Sequence, residues 1–217
     1  MTTNEFSNEF DILFNNISSN QAPGLDEYEK SVFLTQAQEA VVLDLYKGTL
    51  GNSFEETEET TRYLNSLVRN YTYENSGTGK TVAIEIAEIS ELLFITYQSA
   101  IIDVDDKDRD VLVVPTTQDN LYKDLRNPFR MPNKNRILCT SEGNDIILYS
   151  NFPIKSYSMK YLKKPTPIIL EDLPSELTVG GLNEKTECEL NPALHKAILL
   201  RAVQMANLSM GLTETGR

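Results

Sequence analysis

The chain has 217 residues, enough for one sizeable hydrophobic core or for a core with a smaller lobe attached. Its 32 acidic and 20 basic residues give a formal net charge of −12, which disfavours sequence-independent binding to nucleic acid. The first residues form neither a basic leader nor an apolar core, and no apolar run approaches the roughly 18 residues that span a bilayer, so we expect a protein made in a cytoplasm with no membrane partner.

Three amphipathic helices are predicted in the first 70 residues. Phe6, Phe10 and Phe14 recur at the spacing that places them on one helical face. A second apolar stripe over residues 32–45 is followed by glycines that end a helix. A third helix is predicted over residues 53–68, beginning at a serine N-cap with a glutamate three positions later.

The hydrophobic period changes from helical to alternating after residue 70, which predicts a β-rich region. We expect strands over residues 82–86, 92–104, 109–115, 137–139, 146–149 and 156–162. Residues 92–115 should form a hairpin around an acidic turn, and residues 137–149 should form a second hairpin. A short helix over residues 117–125, capped by a threonine, and a proline-containing connector over residues 165–174 complete the region.

The chain closes with a strongly apolar helix. Asn191 can accept the N-cap hydrogen bond, Pro192 suits the first helical position, and Gly211 can end the helix in a left-handed conformation. Apolar residues cover all but a narrow strip of its circumference, so this helix requires burial on two sides. It is either a core helix of one chain or a helix shared with a neighbouring chain.

Together these elements predict an α+β fold. It consists of a small helical bundle, made of the three N-terminal helices and the C-terminal closing helix, with an inserted β-rich lobe. Residues 1–70 and 190–217 form the predicted bundle, and residues 71–189 form the predicted lobe with its hairpins and extended connector. Periodicity assigns these residues to the bundle core: Phe6, Phe10, Phe14, Phe33, Val41, Leu64, Leu194 and Ile198.

The stretch from Gly77 to Thr81 resembles a phosphate-binding loop in composition. That motif requires a glycine five positions before its Gly-Lys pair, where this chain has Glu74, and it requires a strand before the loop and a helix after it. Here the predicted order is helix, loop, strand. A flexible turn is the preferred interpretation, and a nucleotide-binding enzyme that uses residues 77–81 is the alternative function.

Aspartates crowd the predicted turn of the first hairpin, among them Asp105, Asp106 and Asp108. Their composition resembles a calcium loop, because hard cations collect carboxylates. However, no glycine stands at the sixth position, and Val114 stands where the bidentate glutamate should be. A solvated hairpin tip is therefore the preferred interpretation.

No residue cluster marks a catalytic or metal site. Cys139 and Cys188 lie far apart without a CxxC motif, which favours reduced structural thiols. His195 is the single histidine, and no triad is indicated around it. Lysines and tyrosines over residues 155–164 could bind a nucleic-acid strand, although the net charge favours a protein contact or a solvated edge. We therefore predict no enzymatic activity, no metal and no cofactor.

The order of three helices, a β-rich insertion and a closing helix resembles that of the adaptor, or head-to-tail connector, proteins of short-tailed bacteriophages. The sequence also resembles a closer group, the neck ring proteins of crAss-like phages. The resembling passages are NEFDILFNNISSNQAPGLDEYEKSVFLTQAQEAVV, VLVVPTTQDNLYKDLRNPFRMP, YLKKPTPIILEDL and CELNPALHKAILLRAVQMA. They are spread along the chain, and none of them is a catalytic signature.

The resemblance implies a structural virion protein that packs beside identical copies in a twelvefold ring. Such a ring would bind the portal protein on one side and the next tail or neck ring protein on the other. Genomic DNA would pass through its channel without specific binding. The resemblance also implies assembly in the bacterial host cytoplasm and a final place in the virion neck. A tail-tube or capsid-associated protein is the alternative structural role.

Two sets of residues are candidates for contacts in such a ring. A closing helix that is apolar on two sides can fill its own bundle with one face and meet a neighbouring copy with the other, which predicts Leu199 and Val203 as subunit contacts.

The second set lies in loops, which are generally exposed. It consists of the acidic turn at Asp105, Asp106 and Asp108, and of Gly77 and Lys80 in the preceding loop. The strong negative charge also has a use in a ring, because a repelling channel wall lets DNA slide through.

Overall fold

A computed structural model describes residues 1–17, 24–48, 62–86 and 91–210. The fold is mixed α+β, as predicted, and its contacts divide the chain into two compact units. The helical unit comprises residues 1–67 and 164–217, and the β unit comprises residues 68–163. Residues 164–189 therefore group with the helices, whereas the sequence pattern had placed them in the β-rich lobe.

The bounds of the elements follow most of the predicted ones. In the helical unit the helices are α1 (Thr3–Ile17), α2 (Glu27–Lys47) and α4 (Pro192–Ser209). In the β unit the elements are β1 (Val68–Glu74), β2 (Thr81–Glu85), β3 (Leu92–Val104), β4 (Lys107–Pro115), α3 (Gln118–Arg126), β5 (Arg136–Glu142), β6 (Asp145–Tyr149) and β7 (Ile154–Lys163).

The third predicted helix, over residues 53–68, lies largely outside the described residues, which resume at Arg62. The end of that prediction is wrong, because Asn65–Leu67 form a 3-10 turn and Val68 begins strand β1. Aromatic residues that follow, such as Tyr71 and Tyr73, favour a strand over a helix. Leu64, predicted in the core, is fully buried.

Helices α1 and α2 bury the faces that their periodicity predicted. Phe6, Phe10 and Phe14 of α1 are all buried. Helix α2 begins with a capping box between Asp26 and Glu29 and ends at a glycine with φ of +70°, a left-handed conformation that suits glycine. Its buried apolar residues are Leu34, Ala37, Val41, Val42 and Leu45, whereas Phe33 is only half-buried, contrary to the prediction.

A second face of α2 is buried although it is polar. Ser31, Thr35 and Gln38 recur at helical spacing, and their side chains hydrogen-bond to the backbone of residues 166–170. The Ser31 Oγ accepts from the Leu170 N–H at 3.0 Å, and the Gln38 Nε2 donates to the Thr166 carbonyl at 2.8 Å. One turn of helix thus matches about two residues of extended chain, and the proline-containing connector is held against α2.

Helix α4 begins as predicted. The Asn191 side chain accepts a hydrogen bond from the Ala193 N–H at 3.0 Å, and Pro192 occupies the first turn. The helix ends at Ser209, and the predicted cap Gly211 lies outside the described residues.

The prediction that Leu199 and Val203 of α4 face a neighbouring copy is wrong. Leu199 and Val203 are fully buried within the chain, on the face of α4 that packs against α1 and α2. The exposed strip of the helix instead includes Leu200 and Leu208. Small residues such as Ala197 made the helix look apolar all round, so the sequence pattern could not tell which side faces the other helices. Leu199 and Val203 are therefore not available for a contact with a neighbouring copy.

The β unit is a seven-stranded sheet with the order β1-β7-β3-β4-β5-β6-β2. Its pairs are antiparallel except for β4 with β5, which are parallel and joined through α3. Both predicted hairpins, β3–β4 and β5–β6, are present. Register shifts along the β3–β7 pair bend this part of the sheet.

Loop lengths require this sheet to curl. Strands β1 and β2 occupy opposite edges, which would lie roughly 29 Å apart in a flat sheet of this size. The loop between them, residues 75–80, can reach only about 25 Å. The connection of β6 to β7, residues 150–153, is similarly short for the strands that it skips. The curled sheet encloses an apolar core whose members include Ile84, Ile102, Ile137, Leu148 and Tyr157.

Candidate interaction surface

One end of the curled sheet brings together the two loops that the sequence analysis selected. Strands β1, β3 and β6 all run toward this end, so the loop over residues 75–80, the turn at residues 105–106 and the connection over residues 150–153 lie there. Backbone hydrogen bonds link the three: Ile154 N–H donates to the Gly79 carbonyl at 3.1 Å, and Asp103 N–H donates to the Pro153 carbonyl at 2.8 Å. We call it the loop end.

The acidic turn is tight and ion-paired. Asp105 and Asp106 have φ of +55° and +59°, the left-handed conformation that a two-residue hairpin turn of this kind requires, and aspartate tolerates it better than most residues. Lys155 pairs with Asp108 and with Asp103, the latter at 3.1 Å, and these carboxylates raise the pKa of Lys155. The Lys134 ammonium lies 3.9 Å from Asp105. The predicted solvated hairpin tip is therefore partly neutralised by its own lysines.

The glycine-rich loop does not have the geometry of a phosphate site. Gly77 and Lys80 are both exposed, and strand β2, not a helix, follows the lysine. The side chain of Asn75 holds the loop in place by accepting from the Gly77 N–H and donating to the Ile154 carbonyl. A phosphate-binding loop requires a helix after its lysine, and this arrangement contradicts the nucleotide-binding alternative.

The lysines and tyrosines of residues 155–164 do not form a single surface. Tyr157 is fully buried in the core, and its hydroxyl donates to the Gln98 Oε1 at 2.8 Å; burial raises the pKa of Tyr157. Lys155 pairs with the acidic turn, and Lys164 lies 3.0 Å from Glu39 in the helical unit. The strand alternates its side chains across the sheet, so this cluster is scattered.

An exposed apolar and basic surface in the β unit was not predicted from the sequence. It lies on α3 and on the turn that follows, and we call it the basic–aromatic surface. Its members are Tyr122, Lys123, Leu125, Arg126, Phe129, Arg130 and Met131. Phe129 is 87% exposed and Tyr122 is 61% exposed, with the Arg126 guanidinium 4.1 Å from the centre of the Tyr122 ring. Aromatic residues, methionine and arginine are the types enriched in protein–protein interfaces.

The backbone that presents Phe129 is firmly held. The Asn127 side chain accepts from the Phe129 N–H at 3.0 Å, and Arg136 donates to the Phe129 carbonyl. The Arg130 guanidinium pairs with Asp124, and hydrogen bonds from Thr116 and Arg130 lower the pKa of Asp124. A rigid turn with an exposed aromatic side chain is preorganised for a partner. The sequence signal for this surface is an Asn-Pro-Phe turn within a basic stretch.

Buried titratable groups in the described residues have structural partners. Cys139 and Cys188 are free thiols, and burial raises the pKa of each to about 11, consistent with the predicted structural role. His195 is buried in the helical unit, where it hydrogen-bonds to the Leu190 carbonyl at 3.1 Å and accepts from the Met1 amino group at 2.7 Å.

Within the described residues, no group of histidine, cysteine, aspartate and glutamate side chains has the arrangement of a metal site.

A cavity of about 420 Å³ lies in the β unit between the start of α3 and the sheet, and it is lined by residues that include Gln98 and Asp119. None of the helices described has the length and apolarity needed to cross a membrane.

Exposed aromatic, aliphatic and basic side chains of this kind are typical of surfaces that contact other proteins. Comparison with known proteins identifies the kind of protein that carries them. The chain belongs to the family described as phage tail ring protein 3/4, whose sequence profile matches residues 1–217.

Two proteins of Bacteroides phage crAss001 are similar to it over nearly their whole length. Ring protein 3 is 43% identical, with 96% of each chain covered. Ring protein 4/5 is 35% identical, with 95% of this chain and 92% of the relative covered. The resemblance to neck ring proteins of crAss-like phages is thereby confirmed, and the chain is a structural ring protein of a bacteriophage virion.

Proposed function

We propose that this protein forms a ring in the phage neck, which joins the portal vertex to the tail and surrounds the DNA channel. The observation that carries the proposal is the similarity to Ring protein 3 along 96% of both chains. Related chains of similar length share a fold, and a ring built by one is a geometry available to the other. The proposed ring is twelvefold, with the portal protein on one side and the next tail or neck ring protein on the other.

The fold supports a division of labour within each copy. We assign the bundle role to the helical unit, residues 1–67 and 164–217, whose helices α1, α2 and α4 pack together, and treat the β unit, residues 68–163, as an insertion. The loop end carries the remaining contact candidates, Asp105, Asp106, Asp108, Gly77 and Lys80. Exposed loops on a rigid sheet are suitable for contacts with other subunits.

The net charge supports a channel that DNA passes without binding. A chain with a formal charge of −12, repeated around a ring, repels the phosphate backbone. Copies assembled in the host cytoplasm would enter the virion at the neck. This proposal would be contradicted by a ring in which Lys155 to Lys164 line the lumen and the acidic residues face outward.

A direct test is the mass of the purified protein, alone and mixed with portal protein, by native mass spectrometry. We expect a closed oligomer of identical subunits, formed alone or on the portal, because some rings assemble only on a partner. A stable monomer that does not bind the portal protein would contradict the proposal. A complex with tail-tube or capsid subunits in place of the portal favours the alternative virion role.

A further inference from the structure

We propose that the basic–aromatic surface of one copy binds an acidic, leucine-bearing surface on the helical unit of the next copy. The proposal rests on the ring function and names the contact that closes the ring. It assigns one occupant, a second copy of this chain, to the basic–aromatic surface.

The counterpart surface is an ordered loop over residues 169–186, which begins within the proline-containing connector. The two ends pair as an isolated bridge, Leu173 N–H donates to the Asn183 carbonyl at 2.8 Å, and Val179 pairs with Leu182 across two glycines. Gly180 and Gly181 both have positive φ, +60° and +86°, which such a two-residue turn requires. These backbone hydrogen bonds therefore fix the shape of the loop.

The loop over residues 169–186 exposes acidic and apolar side chains together. Leu177 is 38% exposed and Leu182 is 43% exposed. The acidic side chains of the surface are Glu171, Asp172, Glu176 and Glu184, against one basic residue, Lys185. We call it the acidic–leucine surface.

The two surfaces complement each other in charge and in apolar content. The basic–aromatic surface offers Lys123, Arg126 and Arg130 around Phe129, and the acidic–leucine surface offers glutamates around two leucines. An interface commonly has such an apolar centre with a polar rim, and opposite potentials select the partner and its orientation. Because the surfaces are different, each copy can use both at once, which is the heterologous contact that a closed ring needs.

DNA is a less suitable occupant of the basic–aromatic surface. Aliphatic side chains such as Leu125 and Met131 gain nothing from a phosphate backbone, and the acidic remainder of the chain repels it. The complementary acidic surface lies on the chain itself.

Charge reversal on each side gives a sharp test. One variant carries Lys123→Glu with Arg126→Glu, and the other carries Glu176→Lys with Glu184→Lys. Each variant alone should lose ring assembly in native mass spectrometry, because it brings like charges together at every contact. A mixture of the two should recover rings with alternating subunits, because both kinds of contact in the mixture pair opposite charges.

The matched control for the first variant is Lys160→Glu with Lys196→Glu, two exposed lysines outside both surfaces, which lowers the net charge by the same amount and should leave assembly intact. Phe129→Ala should also lose rings, whereas Ile12→Ala, another exposed apolar residue, should not.

The outcomes separate this contact from the ring itself. If the wild type forms rings and both charge-reversal variants also form them, the contact is overturned and the proposed function stands. Wild-type protein that stays monomeric with and without portal overturns both. Loss of assembly in each variant without recovery in the mixture overturns the heterologous pairing. A variant with Lys123→Glu and Arg126→Glu that keeps its rings but loses retention of duplex DNA identifies a DNA contact instead.

Discussion

Lys30 is a lysine placed inside the helical unit, with its side chain only 4% exposed. Its ammonium lies 2.8 Å from Asp11 and 2.9 Å from Glu27, and it donates to the Ser7 hydroxyl at 3.2 Å. Burial alone would lower the pKa of Lys30, but the hydrogen bonds and charges of Asp11 and Glu27 outweigh burial and raise it. The group therefore joins α1 to α2 as a charged, fully bonded centre.

Replacing this lysine should be costly. We expect Lys30→Met to lower the free energy of unfolding by about 1–3 kcal/mol, because Glu27 and the Ser7 hydroxyl lose a partner in a partly buried site. Urea unfolding measures the change. The matched control is Lys164→Met, which removes an ion pair with Glu39 at 52% side-chain exposure of the lysine and should cost about 0–1 kcal/mol. Equal losses in the two variants would contradict this account.

His195 makes stability depend on pH. Burial, together with the charge of the Met1 amino group, lowers the pKa of His195, so the unfolded chain binds a proton more readily than the folded one. Its contribution to stability is complete above the unfolded pKa of about 6.5 and is lost as the pH falls below that value.

The pH dependence can be isolated with His195→Gln. We expect the melting temperature of the wild type to fall more than that of the variant between pH 7.5 and pH 5.5, as measured by differential scanning calorimetry at each pH. A gap between the two proteins that stays constant or widens in favour of the wild type on acidification would show that His195 is not the group responsible.

At the scale of elements, α2 shows a helix buried on two chemically different faces. Its apolar face meets α4, and its polar face satisfies the backbone of residues 166–170. The hydroxyl of Thr35 is central to this second face, since it accepts from the Ile168 N–H at 3.1 Å and donates to the Ile168 carbonyl at 3.3 Å.

Removing that hydroxyl should leave two buried backbone groups without a partner. We expect Thr35→Val to lower the free energy of unfolding by about 1–3 kcal/mol. Thr35→Ser keeps the hydroxyl and should cost about 1 kcal/mol for the lost methyl group. Chemical denaturation with an unchanged m-value measures both. A valine variant as stable as the serine variant would rule out this role for the polar face.

Periodicity in the sequence was sufficient to predict α1, α2, α4 and both hairpins, because local spacing determines them. The aromatic spacing of α1, the N-cap of α4 and the alternation of β3 and β4 all give elements close to those observed. The partners of these elements were not predictable in this way. Strand β1 pairs with β7, about 90 residues later, and α2 presents a polar face whose partner is an extended chain.

The candidate contacts show the same limit. Leu199 and Val203 were predicted from a helix that looked apolar on two sides, but their side chains fill the core of their own chain. Phe129 was overlooked because its neighbours give no periodic signal, and only the fold shows that a rigid turn leaves its ring exposed. Sequence patterns report the chemistry of a residue, whereas exposure depends on contacts between distant segments.

At the scale of the whole molecule, two compact units divide the chain, and each carries one of the two complementary surfaces. A ring of such copies would place a basic–aromatic surface against an acidic–leucine surface at every junction. Most of the acidic residues would remain free to set the potential of the ring around the DNA. Stability within each copy and contact between copies thus depend on different residues.

The central claim is that this protein builds a ring in the phage neck, and imaging the neck tests it most directly. The measurement is a cryo-electron microscopy reconstruction of the virion that contains this chain, with density assigned from its side chains. The account predicts a closed ring of identical copies between the portal and the next tail component, with Phe129 of each copy against the Leu177 and Leu182 region of its neighbour. Density for this chain in the capsid or along the tail tube, outside any neck ring, would contradict it.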